Sequence, residues 1–204
     1  MPKRQCKEIT KLDSNFKGQL LIAMPSISSG FFHRSAIFSC AHSKDGAMGL
    51  IINLPTQNIA FANLLEQLEI INEKNKSKVP SNILDRKVYI GGPISTTRGF
   101  VLHTPDYLIN SSSIRFQNNI CLTSTIDILK AISINRGPQY AFMALGYVGW
   151  RPGQLETEFA NNNWLNCQSY CDLIFDDNVE TKYKRALSKL GISLEYLSAE
   201  AGHA

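Results

Sequence analysis

Short runs of apolar residues, several of them alternating with polar positions, recur along the chain and predict β-strands. Turn-favouring residues such as Pro25, Gly46 and Pro55 bound these runs. The predicted strands cover residues 20–24, 36–40, 48–53, 88–90, 100–102, 140–147 and 171–175. Because Asp45-Gly46 suits a tight turn with positive φ, the second and third strands are predicted to form an antiparallel hairpin.

Apolar residues at helical spacing predict three helices. The second opens at Ser124, with Asp127 three residues later as in a capping box, and ends at Gly137-Pro138. The third runs from about residue 178 to Gly191. The buried face of the first helix is Phe61, Leu64, Leu65, Leu68 and Ile71, and that of the third is Tyr183, Ala186, Leu187 and Leu190.

The remaining pattern indicates how these elements are arranged. The third helix also carries basic residues that are typical of a solvated face, namely Lys182, Lys184, Arg185 and Lys189. Residues 72–85, where lysine, proline and asparagine interrupt the apolar pattern, are predicted to form a loop excursion. A hairpin followed by irregularly interleaved helices and strands does not fit a regular βαβ array, so an α+β single domain is predicted.

Composition and charge narrow the class of protein. With 204 residues, 44% hydrophobic and 19% charged, the chain has ordinary globular composition. No apolar run approaches the ~20 residues of a membrane-spanning helix, so no membrane association is expected. Most of the net charge of +4 lies in residues 1–17, which are predicted to be a flexible basic tail before a domain of residues 18–204. Because the rest is nearly neutral, direct nucleic-acid binding is not expected.

The cysteines indicate a reducing compartment and no metal site. Their number, five, is odd, and the chain shows no export signal, so we expect reduced thiols and a cytoplasmic protein. Cys167 and Cys171 are too far apart for a C-x-x-C redox motif. A zinc site would also need a second close pair, so neither metal nor cofactor is predicted.

Four segments of the chain, taken together and in order, resemble the YqgE/AlgH family of bacterial proteins. They are residues 20–25 with Phe32, Arg34 and Ser35; His42 with residues 45–53 and Pro55; residues 88–93 and 98–103; and residues 145–150 and 152–156 with Glu158, Asn162 and Trp164. The closing residues 201–204 fit as well. Ser29 and Leu54 depart from the family pattern, which commonly has Asp and a basic residue there.

The resemblance implies an α+β single domain with a bifurcated, partly barrel-like mixed β-sheet surrounded by helices. It implies no established activity. One member gave the family an association with control of alginate synthesis, and hence the label of a transcriptional regulator. That label describes a genetic role and supplies no mechanism.

Two glycine-rich turns are candidate binding segments. Gly149, Trp150 and Gln154 belong to a predicted strand-to-helix turn whose free N–H groups could bind an anion, unless the glycines only permit the turn while Trp150 packs. No Walker or G-x-G-x-x-G spacing is present. Gly91 and Gly92 could likewise expose backbone to a ligand, although a tight turn also explains them.

Polar side chains supply further candidates. Arg98 could grip a carboxylate or phosphate, or form a surface ion pair. His42 and His103 fall at predicted strand ends and could act as acid or base, or be structural residues. Glu156 and Glu158 are two residues apart on a helix and cannot by themselves form a paired carboxylate site.

The leading hypothesis is a non-catalytic domain that binds an unidentified small molecule or protein partner in one cleft lined by these turns. An enzyme acting on a small polar or phosphorylated metabolite, and a transcriptional regulator, are the alternatives. The predicted ligand-binding residues are His42, Asn53, Gly91, Gly92, Arg98, His103, Gly149, Trp150 and Gln154.

Overall fold

The computed structural model describes residues 15–28 and 30–194. Its strands are β1 Gln19–Ala23, β2 Ala36–Ser43, β3 Gly46–Ile51, β4 Val88–Ile90, β5 Ile94–His103, β6 Ser113–Arg115, β7 Cys121–Thr123, β8 Ala141–Trp150 and β9 Trp164–Gln168. Its helices are α1 Phe61–Gln67, α2 Glu73–Lys76, α3 Ser81–Leu84, α4 Ile126–Ser133, α5 Gln154–Ala160, α6 Cys171–Ile174 and α7 Val179–Lys189. Cys6, Ser29 and residues 201–204 lie outside the described residues, and the boundary at residue 17 stays a prediction.

One sheet contains all the described strands and divides at β8. Its order is β6-β7-β5-β8-β3-β2-β1-β9, and β4 pairs with β8 off this path. The first half of β8 lies between antiparallel β5 and parallel β4, whereas its last residues pair with β3. The predicted bifurcated mixed sheet and α+β class are therefore confirmed, as is the β2–β3 hairpin, in which Ser43 faces Gly46.

Side-chain alternation along the strands distributes the core over both faces of the sheet. On β1, Leu20 and Ile22 pack under α7, whereas Leu21 and Ala23 pack with Trp150 and Leu155 of the α5 region. A further cluster on that second face, around β5 and β8, buries α1 and α4. The Tyr183 hydroxyl donates to the Ala23 carbonyl at 2.7 Å and ties α7 to β1. Both faces of the sheet are therefore covered by helices.

Several local predictions are wrong, for identifiable reasons. Residues 171–175 were predicted as a strand but form helix α6 and its C-terminal cap. A short apolar run shows no periodicity that distinguishes a strand from a helix, so the sequence was ambiguous here. Helix α4 begins after Thr125, whose side chain makes no cap hydrogen bond, so the box at Ser124 is not formed. The predicted loop of residues 72–85 contains α2 and α3, and α2 begins with a capping box at Asn72. Strands β6, β7 and β9 were not predicted.

Close backbone approach explains the glycines beside β8. A Cβ on Gly91 would overlap the Gly146 carbonyl oxygen, and one on Gly92 would overlap the Tyr147 backbone. The Gly91 N–H donates to Leu145 at 2.7 Å, and the Gly91 carbonyl accepts from the Ile51 N–H at 2.9 Å. This turn therefore seals the point at which the sheet divides.

We expect Gly91→Ala to lower the free energy of unfolding by about 3 kcal/mol, because the new methyl group meets backbone that cannot move aside. The control is Gly149→Ala, whose Cβ would meet the tip of the Ile94 side chain at 3.0 Å. Since that tip can rotate, we expect a cost below about 1 kcal/mol. Urea unfolding measures both, and equal stabilities of the two variants would contradict the assigned role of Gly91.

Candidate functional site

Strand β8 separates the two histidines that the sequence analysis proposed as acid or base. His103 pairs with Ala141 at the first residue of β8. His42 pairs with Ala47, and Ala47 pairs with Trp150 at the last residue of β8. A strand rises about 3.3 Å per residue, so the two histidines lie roughly 25–30 Å apart along the sheet. One small ligand cannot contact both.

His42 is bonded through both ring nitrogens. Nδ1 accepts from the Phe16 N–H at 3.2 Å, so the proton of the neutral ring sits on Nε2, which donates to Glu156 at 3.0 Å. Phe16 in turn stacks on Phe159 with ring centroids 4.2 Å apart. The ring therefore fastens the lead-in to β1 against α5.

The predicted residues Trp150 and Gln154 meet at one carboxylate. Glu158 accepts from the indole N–H groups of Trp150 at 2.9 Å and Trp164 at 2.7 Å. Its second oxygen accepts from the Gln154 amide at 2.9 Å. These donors use the polar atoms that a ligand would otherwise engage, and Trp150 is 6% exposed. The helix predicted after the glycine-rich turn is present as α5, and this carboxylate anchors it.

His103 ends a buried chain of hydroxyl hydrogen bonds. Its Nδ1–H donates to the Thr104 carbonyl at 2.8 Å, so Nε2 accepts from the Thr123 hydroxyl at 2.9 Å. Thr123 accepts from Ser113 at 2.7 Å, and Ser113 accepts from the Ile109 N–H at 3.0 Å. Burial lowers the pKa of His103, opposed by its bond to Thr104 and by Asp106. The imidazole is thus held neutral in the interior.

The other predicted residues lie at separate places on the sheet. Asn53 accepts from the Ala36 N–H and donates to the carbonyl of Arg34, both at 2.8 Å. Arg98 is exposed, with its guanidinium 5.1 Å from the centre of the Phe100 ring. Gly149 lies in β8 opposite Met48. The structure thus brings His42, Trp150 and Gln154 together around α5, but it does not bring all nine predicted ligand-binding residues to one place. The ligand-binding roles of the nine stay predictions.

A different depression, here called the Arg86 cleft, lies where α3, the start of β8 and the α6–α7 connection meet. It encloses about 510 Å³, within the range of small-molecule sites. Its lining residues are Asn82, Asp85, Arg86, Lys87, Tyr89, Gln139, Tyr140, Ala141, Phe142, Ile174, Phe175, Asp176 and Asp177. None of the nine predicted residues is among them, because no sequence motif marks Arg86 or its neighbours as a site.

The half-buried guanidinium of Arg86 has a nitrogen without a hydrogen-bond acceptor in this cleft. Its Nη1 is buried and has no hydrogen-bond acceptor among the described residues. Burial lowers the pKa of Arg86, and the charge of Asp177 opposes that shift. An arginine remains protonated even so, and an unpaired buried N–H donor is uncommon in folded proteins. The cleft therefore holds a positive charge with an unsatisfied donor.

Three neighbouring groups in the Arg86 cleft, Lys87, Asp176 and Tyr89, are already engaged or neutral. The Lys87 ammonium donates to the Asp177 carbonyl at 2.8 Å, and Asp176 is paired with Arg185. The bond from the Asn178 N–H, and then that from Arg185, lowers the pKa of Asp176. Burial, with Asp177 and Asp176, raises the pKa of Tyr89 to about 12, so its phenol keeps its proton.

Lys182 lies behind the wall of this cleft and is fully buried. Its ammonium donates to the carbonyls of Ile174 at 2.8 Å and Ile52 at 3.1 Å. It also lies 5.3 Å from the ring centres of both Tyr89 and Phe142. The prediction that Lys182 belongs to a solvated face is therefore wrong. Its position three residues after Val179 and four before Ala186, in phase with the apolar stripe of α7, was the signal that could have shown this.

The described residues contain neither a cluster of metal ligands nor a helix that could span a membrane. In residues 15–28 and 30–194, no three His, Cys, Asp or Glu side chains come close enough to hold a metal ion. The described thiols Cys40, Cys121, Cys167 and Cys171 are free. No helix among these residues is long and apolar enough to cross a bilayer.

The fold and sequence are similar to those of known bacterial proteins. Residues 20–195 match the model of the AlgH-like family. A UPF0301 protein of Bradyrhizobium diazoefficiens is 53% identical over 187 residues, covering 92% of this chain and 87% of the relative. A UPF0301 protein of Mesorhizobium japonicum is 53% identical over 186 residues, covering 91% of each.

Two solved structures are similar to this chain in fold. The solution structure of the AlgH protein from Pseudomonas aeruginosa is 34% identical, with a TM-score of 0.73, and covers 95% of this chain and 98% of that one. A crystal structure from Corynebacterium diphtheriae, 19% identical with a TM-score of 0.66 over 85% of this chain and 86% of that one, shares the fold. The molecule is thus a mixed α/β domain with a curled, divided sheet. The chain belongs to the AlgH-like family, as its four segments predicted.

We expect His103 to destabilise the protein on acidification. Because its pKa in the folded state lies below the ordinary 6.5, the unfolded chain takes up the proton first, and stability falls as the pH drops below 6.5. In His103→Gln, the slope of unfolding free energy against pH between 5 and 7 should become shallower, by at most about 1.4 kcal/mol per pH unit. The exposed His33, changed to Gln, is the control. Identical slopes in wild type and His103→Gln would refute this.

Lys182 should have an effect of the same sign in a more alkaline range. Burial lowers its pKa from 10.5 to about 8, so between these values the unfolded chain binds the extra proton and stability rises with pH. We expect wild type to gain on the order of 3 kcal/mol relative to Lys182→Met between pH 7 and 10.5. Lys184→Met, on the exposed side of the same helix, should keep the wild-type slope. Parallel pH profiles for wild type and Lys182→Met would exclude a lowered pKa.

Proposed function

We propose that this chain is a non-catalytic domain that binds a small ligand with a carboxylate group in the Arg86 cleft. The observation that supports it is the half-buried guanidinium of Arg86, which lines this cleft and makes no hydrogen bond to the described residues. A guanidinium that is partly removed from water and has no acceptor costs free energy, which an acceptor bound at its accessible nitrogens recovers. A carboxylate matches the planar guanidinium with two parallel hydrogen bonds.

The charges around the cleft favour a carboxylate over a phosphate. Asp85, Asp176 and Asp177 line the same space as Arg86 and Lys87. A group with close to two negative charges would be repelled by these carboxylates more strongly than a group with a single charge. The protonated phenol of Tyr89 adds a neutral donor, since its pKa is raised to about 12. The surrounding charges therefore disfavour a phosphate more than a carboxylate.

Binding without catalysis agrees best with the hydrogen bonding of the histidines. Both ring nitrogens of His42 and of His103 are bonded to protein atoms, and the two rings lie far apart. A general acid or base needs a ring nitrogen that can reach the substrate. The enzyme hypothesis with these residues is therefore less favoured, and a regulatory role would operate through ligand or protein binding.

We also propose a cytoplasmic location, which the free thiols support. Cys40, Cys121 and Cys167 are buried as unpaired thiols, and burial raises the pKa of each. Such thiols are typical of a reducing compartment. Fractionation of cells that produce the protein tests this, and recovery from an oxidising compartment would overturn it.

The test of ligand binding is a titration with acetate, butyrate and succinate, followed through the backbone amide NMR signals of Arg86 and Tyr89. Inorganic phosphate is the competing oxyanion. We expect saturable shifts with at least one carboxylate, weakened about tenfold or more in Arg86→Met, because a charge-assisted hydrogen bond is worth about 1.5 kcal/mol or more. Arg151→Met is the matched control, since Arg151 is exposed at the far end of β8.

The ligand-free variants give a second readout. If Arg86 is kept for binding, Arg86→Met removes an unpaired buried donor and leaves the thermal unfolding midpoint at or above that of wild type. A midpoint well below wild type would indicate a structural arginine and overturn the proposal. Shifts with phosphate alone, or no shift with any carboxylate, would overturn it as well.

A further inference from the structure

The Arg86 cleft adjoins a second depression, and two aromatic residues line both spaces. The second depression encloses about 430 Å³ and is lined by Tyr140, Cys171, Asp172, Phe175, Asp176 and Arg185. Tyr140, Phe175 and Asp176 line both spaces. A ligand held by Arg86 could therefore extend past these rings without leaving the protein surface.

Tyr140 is unusual in its exposure. Its side chain is 51% exposed, although aromatic residues of this size are mostly covered in folded domains. Among the described large apolar residues that are exposed, Tyr140 is the one that lines the Arg86 cleft; Phe31, Leu68, Ile94, Ile114, Ile126 and Ile134 lie elsewhere. The exposed ring of Tyr140 thus lines the same cleft as the Arg86 guanidinium.

Two hydrogen bonds to Thr104 hold the backbone of Tyr140. The Tyr140 N–H donates to the Thr104 hydroxyl at 3.2 Å, and its carbonyl accepts from the Thr104 N–H at 3.1 Å. The ring lies 6.2 Å from that of Phe175 with an interplanar angle of 27°. The two rings together offer an aromatic surface on which a planar ligand can stack.

These observations indicate which group the ligand carries in addition to its carboxylate. A carboxylate alone would satisfy Arg86 and leave Tyr140 and the second depression unused. A ligand with a flat ring joined to the carboxylate by a short linker would satisfy the guanidinium and cover the exposed ring together. The second depression is mostly apolar, which also suits a ring better than a second charged group.

We infer that the Arg86 cleft binds an aromatic monocarboxylate, with the carboxylate on Arg86 and the ring against Tyr140 and Phe175. The inference rests on the proposed function, because it assumes that Arg86 holds the carboxylate. It adds a ligand class, namely acids with a planar ring, and assigns Tyr140 as a specificity-determining residue. No bond is made or broken in this binding.

The test compares two probes that differ in the ring alone, 3-phenylpropionate and 3-cyclohexylpropionate. The saturated ring is bulkier and more apolar but has no π-face, so simple hydrophobic binding favours it. If the aromatic face is recognised, 3-phenylpropionate binds roughly three- to tenfold more tightly, as expected for a stacked pair. Dissociation constants come from NMR titrations of the full chain.

Variants locate the preference. Tyr140→Leu should weaken 3-phenylpropionate about tenfold and remove its advantage over the saturated acid, whereas Phe31→Leu, at an exposed aromatic outside the cleft, should change neither. Equal or weaker binding of 3-phenylpropionate relative to 3-cyclohexylpropionate in wild type would overturn the inference. So would a preference that survives in Tyr140→Leu.

The outcomes separate this inference from the proposed function. If both acids bind, need Arg86 and show no aromatic preference, the carboxylate site stands and the ring specificity is wrong. If neither acid nor the aliphatic carboxylates bind, the proposed function itself fails. Arg86-independent binding of 3-phenylpropionate at Tyr140 would contradict both, because the carboxylate would then have no assigned partner.

Discussion

The pairing of β8 with three other strands is the constraint on which the rest of the molecule depends. A single ten-residue strand borders β5 along one edge and shares its other edge between β4 and β3. The division is possible because glycines 91 and 92 bring the turn after β4 against the β8 backbone, where a side chain would not fit. The two halves of the sheet, and the helices on them, are placed by this junction.

The positions of two cations, Arg86 and Lys182, follow from that arrangement. Strand β4 leads from Arg86 into the junction, and α7 packs across the same face of the sheet with Lys182 buried beneath it. Lys182 is satisfied by two carbonyls and two ring faces, so its charge is compensated within the protein. Arg86, a short distance along the chain from Tyr89, has Asp177 as a neighbouring charge, but its Nη1 has no hydrogen-bond acceptor among the described residues. One cation supports the fold, and the other is the group on which the proposed ligand site depends.

The sequence predicted the long, strongly patterned elements and the family, and it missed what depends on tertiary contacts. The β2–β3 hairpin follows from its Asp-Gly turn, and the buried faces of α1 and α7 follow from periodicity, although Leu68 of the predicted α1 face is exposed. The strand predicted for residues 171–175 is wrong because a short apolar run is compatible with both strand and helix. The exposure predicted for Lys182 is wrong because a charged side chain does not by itself indicate exposure, and its helical phase places it on the buried stripe.

The candidate site was harder to predict, for a different reason. Trp150, Gln154 and His42 were candidates because polar or aromatic residues next to predicted turns and strand ends often bind ligands. In the structure, Trp150 and Gln154 bond to Glu158, and His42 bonds to Glu156 and to the Phe16 N–H. Their spacing is equally compatible with binding a ligand and with anchoring α5. Arg86 stands out only by a missing hydrogen bond, which no sequence pattern reports.

The shared carboxylate of Glu158 has a consequence for spectroscopy. The chain contains two tryptophans, and both donate their indole N–H to this one side chain. Their rings also meet edge to face, with centroids 6.0 Å apart. Intrinsic tryptophan emission from this protein therefore reports the detachment of α5 from the sheet. Binding in the Arg86 cleft, at the other end of β8, leaves that emission unchanged.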